Sequence, residues 1–166
     1  MTQPALTYVD STILFALISE GPTGDAVRRW FRLTQDAWIS SEIALTRTLL
    51  ALSHAPMGAQ TGRPHQDNLD TQGLLRALTT AVAIRPLPQR LLSRSQRPAG
   101  ALQSLAIADA LELAIARLWR CRCLISNCAA LQRAAQAAGL SSLGIGAPSA
   151  AAATVGDWPR RSPIPP

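Results

Sequence analysis

The sequence contains no lysine, few aromatic residues and little charge of either sign. Its 16 basic residues are therefore all arginine, and with 10 acidic residues they give a formal net charge of +6. Arginine suits bidentate contacts with phosphate, although a lysine-free, alanine-rich composition also arises in a GC-rich genome. The positive balance favours a nucleic-acid or acidic-protein partner without identifying it.

Long apolar runs and paired cysteines are also missing. No stretch approaches the roughly 18 apolar residues of a membrane span, and the N-terminus lacks the pattern of a secretory signal. We therefore expect a soluble, cytoplasmic protein. The three cysteines, Cys121, Cys123 and Cys128, are an odd number in one short stretch, which does not suggest a secreted disulfide framework. Without a nearby histidine, they also match a zinc site poorly.

The length and composition predict one domain followed by a tail. Of the 166 residues, 48% are hydrophobic, which suits a compact domain with a buried core. Residues 54–68 and 93–100 are rich in glycine, proline and polar or basic residues, so we expect connecting loops there. We assign the domain to residues 1–146 and expect the Ala/Pro/Ser-rich segment 147–166 to be disordered.

Short apolar runs alternate with segments of helical periodicity. Strands are predicted at 7–9, 37–40, 81–84, 123–126 and 142–145, and all but the last precede a helical pattern. Ser11 or Thr12 should cap the first helix, and Ser40 or Ser41 the third. The longest helix should span Leu102–Trp119 and bury an apolar stripe made of Leu105, Ala108, Leu111, Ala114, Ile115 and Leu118. This alternation predicts an α/β fold with a parallel sheet covered on both faces.

Acidic residues fall where such a sheet would place a functional site. Ligands of parallel α/β sheets bind at the carboxyl ends of the strands. Asp10 ends the first strand, and the segment Ser126–Cys128 ends a later one. Asp109 lies in the long helix, and Glu112 shares its helical face three positions on. Taken alone, an aspartate placed like Asp10 is more often a helix cap or turn residue than a metal ligand, and one placed like Asp109 can simply pair with an arginine.

Four segments, in this order, resemble the PIN domain family over residues 6–148: Tyr8–Thr12, Ser40–Ser41 opening a helix, Ala108–Ala114 and Ile125–Cys128. PIN domains are three-layer α/β/α sandwiches, and their VapC subgroup contains ribonuclease toxins of type II toxin–antitoxin pairs. The resemblance implies a metal-dependent RNA endonuclease using Mg²⁺ or Mn²⁺, with Asp10 and Asp109 as catalytic residues and metal ligands. It also implies an RNA substrate, a small cognate antitoxin and a homodimer.

Two positions depart from the family pattern. Arg47 stands where the family usually has a glutamate, although Glu42 lies earlier in the same helix, and Cys128 replaces the aspartate of a late T-x-D motif. Glu112 also replaces a frequent histidine. Cys128 is a soft ligand and Arg47 adds positive charge, so we expect weakened binding of a divalent ion. The alternative hypothesis is a catalytically degenerate PIN-like protein that acts as a partner-binding module.

The long helix also allows a second alignment. Matching the segment Leu102–Leu105 to the family's L-R-S-L-D opening would place Ala106 at the aspartate position. We prefer the alignment on Asp109, because it keeps the pattern of the helix and the distance to the segment Ser126–Cys128.

Overall fold

The computed structural model describes residues 6–34, 37–54, 71–88 and 105–146. Within these ranges, five strands form one sheet in which all neighbouring strands run parallel. The strands are β1 (Leu6–Val9), β2 (Ala37–Ser41), β3 (Ala83–Arg85), β4 (Cys123–Ile125) and β5 (Ser141–Leu143), in the spatial order β3-β2-β1-β4-β5. β1 is therefore the central strand, and its carboxyl end lies between those of β2 and β4.

Helices cover both faces of this sheet. The described residues form α1 (Ser11–Ile18), α2 (Pro22–Leu33), α3 (Glu42–His54), α4 (Thr71–Ala81), α5 (Ile107–Leu118) and α6 (Ala129–Ala137). Buried apolar residues of α1 to α4 form one core cluster, and those of α5 and α6 form a second. The predicted α/β/α sandwich is thus confirmed.

The central strands contribute side chains to both cores. Tyr8 packs in the core of α5 and α6, whereas its neighbour Val9 packs in the other core, because successive residues of a strand point to opposite faces. Leu124 and Ile125 repeat this alternation in β4, and all four residues are fully buried. Burial on both faces explains why these strands appear in the sequence as continuous apolar runs.

The aromatic residues of α2 pack against the sheet, whereas its last leucine does not. Trp30 and Phe31 contact Trp38 of β2, with ring centroids 4.3 and 3.8 Å away. Leu33, at the end of α2, is 62% exposed.

The long helix differs from its prediction in start and phase. α5 begins at Ile107 rather than Leu102, and residues 102–104 of the predicted range lie outside the described residues. The predicted stripe was also out of phase, because Leu118 is 40% exposed whereas Asp109, Glu112 and Leu113 are buried. Two carboxylates occupy core-facing positions, so counting apolar residues alone places the buried face wrongly.

The first helix is capped by a residue other than the two predicted ones. Asp10 is the N-cap of α1, and its Oδ1 accepts a hydrogen bond from the backbone N–H of Ile13. Ser11 and Thr12 lie inside the first turn, so the prediction that one of them caps α1 was wrong. At α3, Ser41 Oγ accepts from the backbone N–H of Ala44 at 3.2 Å, in line with the prediction.

Several predicted segments lie outside the part of the chain that the structure describes. These are the loop over 93–100, nearly all of the loop over 54–68, and the tail over 147–166. Among the helices that are described, none is long and apolar enough to cross a membrane.

Candidate functional site

Three carboxylates and one arginine meet at the carboxyl ends of β1 and β4. Asp10 follows β1, Asp109 and Glu112 come from α5, and Arg47 comes from α3. We call these four residues the acidic cluster. Asp10, Asp109 and Glu112 are all buried, and Glu112 has no exposed surface at all.

Asp10 is held entirely by neutral donors. Its Oδ1 accepts from the hydroxyl of Thr12 at 2.7 Å and from the backbone N–H of Ile13 at 3.1 Å. Its Oδ2 accepts from the hydroxyl of Ser126 at 2.5 Å, which ties the end of β1 to the end of β4. The same carboxylate therefore caps α1 and joins two neighbouring strand ends.

The loop after β4 is fixed to this carboxylate by a second set of bonds. The backbone N–H of Asn127 donates to the hydroxyl of Thr12 at 2.8 Å, and the side-chain oxygen of Asn127 accepts from the backbone N–H of Ile145 at 2.8 Å. The backbone N–H of Cys128 donates to Ser126 Oγ at 2.9 Å. The segment Ser126–Cys128 is thus a positioning element for Asp10.

The carboxylates of α5 are held by a charged donor. Arg47 Nη1 lies 2.7 Å from Asp109 Oδ1 and 2.5 Å from Glu112 Oε1, so one nitrogen bridges both side chains. Glu112 also accepts from the backbone N–H of Ser11 at 3.1 Å and from its hydroxyl at 2.9 Å. Cys128 Sγ donates weakly to Asp109 Oδ2 at 3.8 Å.

The orientation of α3 determines where Arg47 points. Ser41, at the start of α3, hydrogen-bonds the hydroxyl of Tyr8 at 2.8 Å. Thr48 donates to the backbone oxygen of Ser11 at 3.2 Å, one residue after Arg47. These contacts fix α3 against β1 and α1, so that Arg47 faces α5.

Burial changes the acidity of this cluster. Burial raises the pKa of Asp10 to about 6, opposed by the hydrogen bonds from Ser126, Thr12 and Ile13 and by the charge of Arg47. Burial and then the charge of Asp10 raise the pKa of Glu112 to about 7, despite its contacts with Ser11 and Arg47. Burial lowers the pKa of Arg47, but Asp109 and Glu112 more than offset this and leave that pKa raised. The arginine therefore stays positively charged.

The residues present do not fit a Mg²⁺ or Mn²⁺ ion. Such an ion needs several hard oxygen ligands in open positions. Here each of the six oxygens of the three carboxylates accepts from a donor of the protein, and a guanidinium lies between Asp109 and Glu112. Within the described ranges, no group of three or more His, Cys, Asp or Glu residues could hold a metal ion. Cys128 offers a soft sulfur where a hard oxygen would be needed.

Of the acidic residues considered in the sequence, Asp10, Asp109 and Glu112 lie in the acidic cluster, and Glu42 does not. The structure brings Asp10 and Asp109 into one cluster, while their catalytic role stays a prediction. Glu42 is exposed and accepts from the backbone N–H of Leu87, away from the acidic cluster. Sequence reasoning missed the bridge made by Arg47 and the complete burial of Glu112. The spacing of Asp109 and Glu112 was the available signal for a shared face, but nothing in the sequence showed that Arg47 would reach it.

Comparison with solved structures finds the same fold in proteins of low sequence identity. VapBC2 from Rickettsia felis, solved with a DNA fragment from its promoter, is 13% identical with a TM-score of 0.61, covering 84% of this chain and 98% of that one. FitAcB from Neisseria gonorrhoeae is 14% identical with a TM-score of 0.56, covering 82% and 96%. VapC20 from Mycobacterium tuberculosis, a toxin that cleaves the sarcin–ricin loop, is 15% identical with a TM-score of 0.50, covering 81% and 95%.

None of the curated proteins matches the sequence. The PIN domain family model, however, matches residues 7–135. The match includes Asp10, Arg47, Asp109 and Glu112, so the acidic cluster lies wholly within the family's domain. Together with the all-parallel sheet and its two covering layers, this match shows that the chain belongs to the PIN domain family.

Proposed function

We propose that this chain is the toxin-type member of a type II toxin–antitoxin pair that acts by binding its partners, with metal-dependent cleavage of RNA lost. The observation that carries the loss of cleavage is the bridge from Arg47 to Asp109 and Glu112. A guanidinium in that position repels a divalent ion and hydrogen-bonds one oxygen of each of the two carboxylates. Cys128 removes a further hard ligand from the same place.

The partner assignment is supported by the structural neighbours. VapC20, which shares the fold, is described as a toxin, and VapBC2 was solved bound to a DNA fragment from its promoter. In the VapC subgroup, a small antitoxin places a C-terminal segment across the groove at the strand ends. The formal charge of +6 favours an acidic or amphipathic segment in this chain. A homodimer is part of the same proposal, and light scattering of the purified protein tests it.

A second candidate function is a Mg²⁺- or Mn²⁺-dependent endoribonuclease. One observation favours it: the Arg47 side chain is 30% exposed, and both of its hydrogen bonds within the described residues use Nη1. Rotation of this side chain towards solvent would free the facing oxygens of Asp109 and Glu112. The two candidates share a fold and a partner but differ in whether RNA is cut.

Cleavage of a structured RNA separates the two candidates. The purified protein and its Asp10→Asn variant are incubated with RNA in Mg²⁺ and in Mn²⁺, and calorimetry measures Mn²⁺ binding to both. We expect no metal-dependent products and no stoichiometric heat from either protein. Metal-dependent cleavage by the unmodified chain that disappears in Asp10→Asn would overturn the proposal in favour of the endoribonuclease. If the reading frame immediately upstream encodes a small protein, co-expression with it tests the antitoxin assignment, and we expect a stable complex.

A further inference from the structure

Exposed arginines gather where α5 ends and β4 begins. Arg117 lies in the last turn of α5, and Arg120 and Arg122 lie in the connection to β4. All three are exposed, so three positive charges reach solvent within six residues. Because every strand of the sheet runs in the same direction, this amino end of β4 lies at the end of the sheet opposite Asp10.

The side chain of a fourth arginine, Arg85, extends from the carboxyl end of β3 to Trp119. The guanidinium carbon of Arg85 lies 5.9 Å from the ring centroid of Trp119, which packs against Tyr8 with a centroid distance of 6.1 Å. The positive charge of Arg85 also opposes the rise in the pKa of Cys121, which burial takes to about 11. The backbone of Arg85 pairs with Ser41 at the carboxyl end of the sheet, and its guanidinium is the part that approaches the connection. We call Arg117, Arg120 and Arg122 the basic face.

Within residues 6–34, 37–54, 71–88 and 105–146, the arginines of the basic face form no ion pair, because every ion pair there involves Arg28 or Arg47. Like charges held close together without a counter-charge create a positive potential that attracts polyanions. The carboxylates of the acidic cluster, at the other end of the sheet, repel a phosphate instead.

Arg120 adopts a backbone conformation that normally favours glycine. Its φ is 55°, and it is the one described residue other than glycine with a positive φ. The backbone N–H of Cys121 closes the end of α5 on the oxygen of Ala116 at 2.9 Å. The end of α6 is closed in the same way, but there the equivalent position is Gly139, with a φ of 82°. An arginine side chain at this position is thus presented to solvent at a conformational cost that glycine avoids.

We propose that the basic face binds the phosphate backbone of RNA, at the end of the sheet opposite the acidic cluster. This inference rests on the proposed function, since it names RNA as something the chain binds without cutting. A single strand of RNA presents a row of phosphates, which suits several guanidinium groups close together better than one carboxylate does. The ring of Trp119, beside Arg85, adds an aromatic surface on which a base can stack.

Fluorescence anisotropy with a labelled single-stranded RNA in Mg²⁺-free buffer tests the proposal. The variant Arg117→Gln/Arg120→Gln/Arg122→Gln should bind at least about tenfold more weakly than the unmodified chain at low salt. The slope of log Kd against log salt concentration should fall by roughly 2, at about 0.7 for each lost phosphate contact.

A matched control removes the same charge elsewhere. Arg29, Arg32 and Arg76 are exposed and lie on α2 and α4, which cover the other face of the sheet. Their triple glutamine variant should bind RNA within about threefold of the unmodified chain. An equal loss in both triple variants would mean that net charge alone drives binding, and it would overturn the proposal.

The single variant Arg120→Gly separates the role of the side chain from that of the backbone. Glycine suits a φ of 55°, so the thermal midpoint should rise while the affinity for RNA falls by about threefold or more. Unchanged RNA affinity in Arg120→Gly would contradict the proposal. Binding of polyglutamate, but not RNA, to the basic face would also overturn it, in favour of an acidic protein partner. Metal-dependent cleavage would overturn the proposed function without changing RNA binding at the basic face. A failure of the proposed function is therefore distinguishable from a failure of this inference.

Discussion

Asp10 and Glu112 are both buried carboxylates of the acidic cluster, but different kinds of donor hold them. Asp10 accepts from two hydroxyls and one backbone N–H. Glu112 accepts from Ser11 and from the guanidinium of Arg47, which also holds Asp109. One half of the cluster is therefore built from neutral donors at the strand ends. The other half depends on a charged side chain that reaches across from α3.

The two halves differ in what else they do for the protein. Asp10 caps α1 and joins the ends of β1 and β4 through Ser126, so the fold needs it whether or not the chain cuts RNA. Asp109 and Glu112 face a single arginine, and the exchange of one side chain at position 47 changes their environment without altering any strand. The fold can thus stay the same while the side chain at position 47 decides what the carboxylates of α5 contact.

The largest effect is expected from reversing the two departures at once. In the variant Arg47→Glu/Cys128→Asp, five carboxylates would meet without a cation, so in chelator we expect a loss of about 4 kcal/mol in the free energy of unfolding. Mn²⁺ at about 100 times its Kd should restore roughly 2.7 kcal/mol. Thermal and urea denaturation, with and without metal, measure both values, and the cleavage assay above tests whether activity appears.

The unmodified chain is the control for that variant, and its stability should respond little to Mn²⁺. A large gain in the thermal midpoint of the unmodified chain with Mn²⁺ would show that Arg47 yields to the ion. A double variant that gains neither stability nor cleavage with metal would show that positions 47 and 128 do not form an ion site together.

Asp10 should matter for stability more through its hydrogen bonds than through its charge. Asp10→Ala removes the cap of α1 and leaves the Ser126 and Thr12 hydroxyls without their acceptor, at a cost of about 3 kcal/mol. Asp10→Asn keeps one acceptor oxygen and should cost roughly 1 kcal/mol. Urea denaturation of both variants provides the measurement. Equal losses in the two variants would contradict the view that this half of the cluster belongs to the framework of the fold.

The half held by Arg47 should make stability depend on pH. The pKa of Glu112 is raised from 4.5 to about 7, so its neutral form is favoured in the folded state. The stability that this provides is complete below about pH 4.5 and is lost as the pH rises through 7. We expect the free energy of unfolding to fall by about 2 kcal/mol between pH 5 and pH 8.

Glu112→Gln removes this titration while keeping an acceptor for Arg47. The remaining dependence should then come from Asp10, whose pKa is also raised, to about 6. Arg47 stays charged throughout, and burial together with the charge of Glu112 raises the pKa of Tyr8 well above its ordinary value, so neither titrates in this range. Chemical denaturation at several pH values measures the dependence, and an identical profile in Glu112→Gln would assign it to other groups.

The sequence alone allowed much of the fold to be predicted. The alternation of short apolar runs with helical patterns predicted the parallel sheet, because each strand is buried on both faces. The phase of α5 was mispredicted, since Asp109 and Glu112 take positions that an apolar stripe would normally fill. Residue type alone does not show whether a carboxylate is buried or exposed, because the partner that stabilises a buried one can lie on another helix.

The acidic cluster was only partly predictable. Asp10 and Asp109 were identified by resemblance to the family and lie together in the structure. The bridge from Arg47 joins residues 62 and 65 positions apart, and it depends on how α3 packs against α5. Periodicity describes one element at a time, so the reach of a long side chain between two helices could not be derived from it.

The strand order has a consequence for the timing of synthesis. β1 is made first and lies at the centre of the sheet, but its neighbour β4 is made near the end of the domain. Oδ2 of Asp10 lacks its hydroxyl donor until Ser126, 116 residues later in the chain, has been made. During translation, the N-terminal strand therefore has one open edge and an incompletely paired carboxylate until the ribosome has made β4. Such late closure favours slow folding. Until β4 is added, the exposed edge of β1 is also open to pairing with strands of other chains.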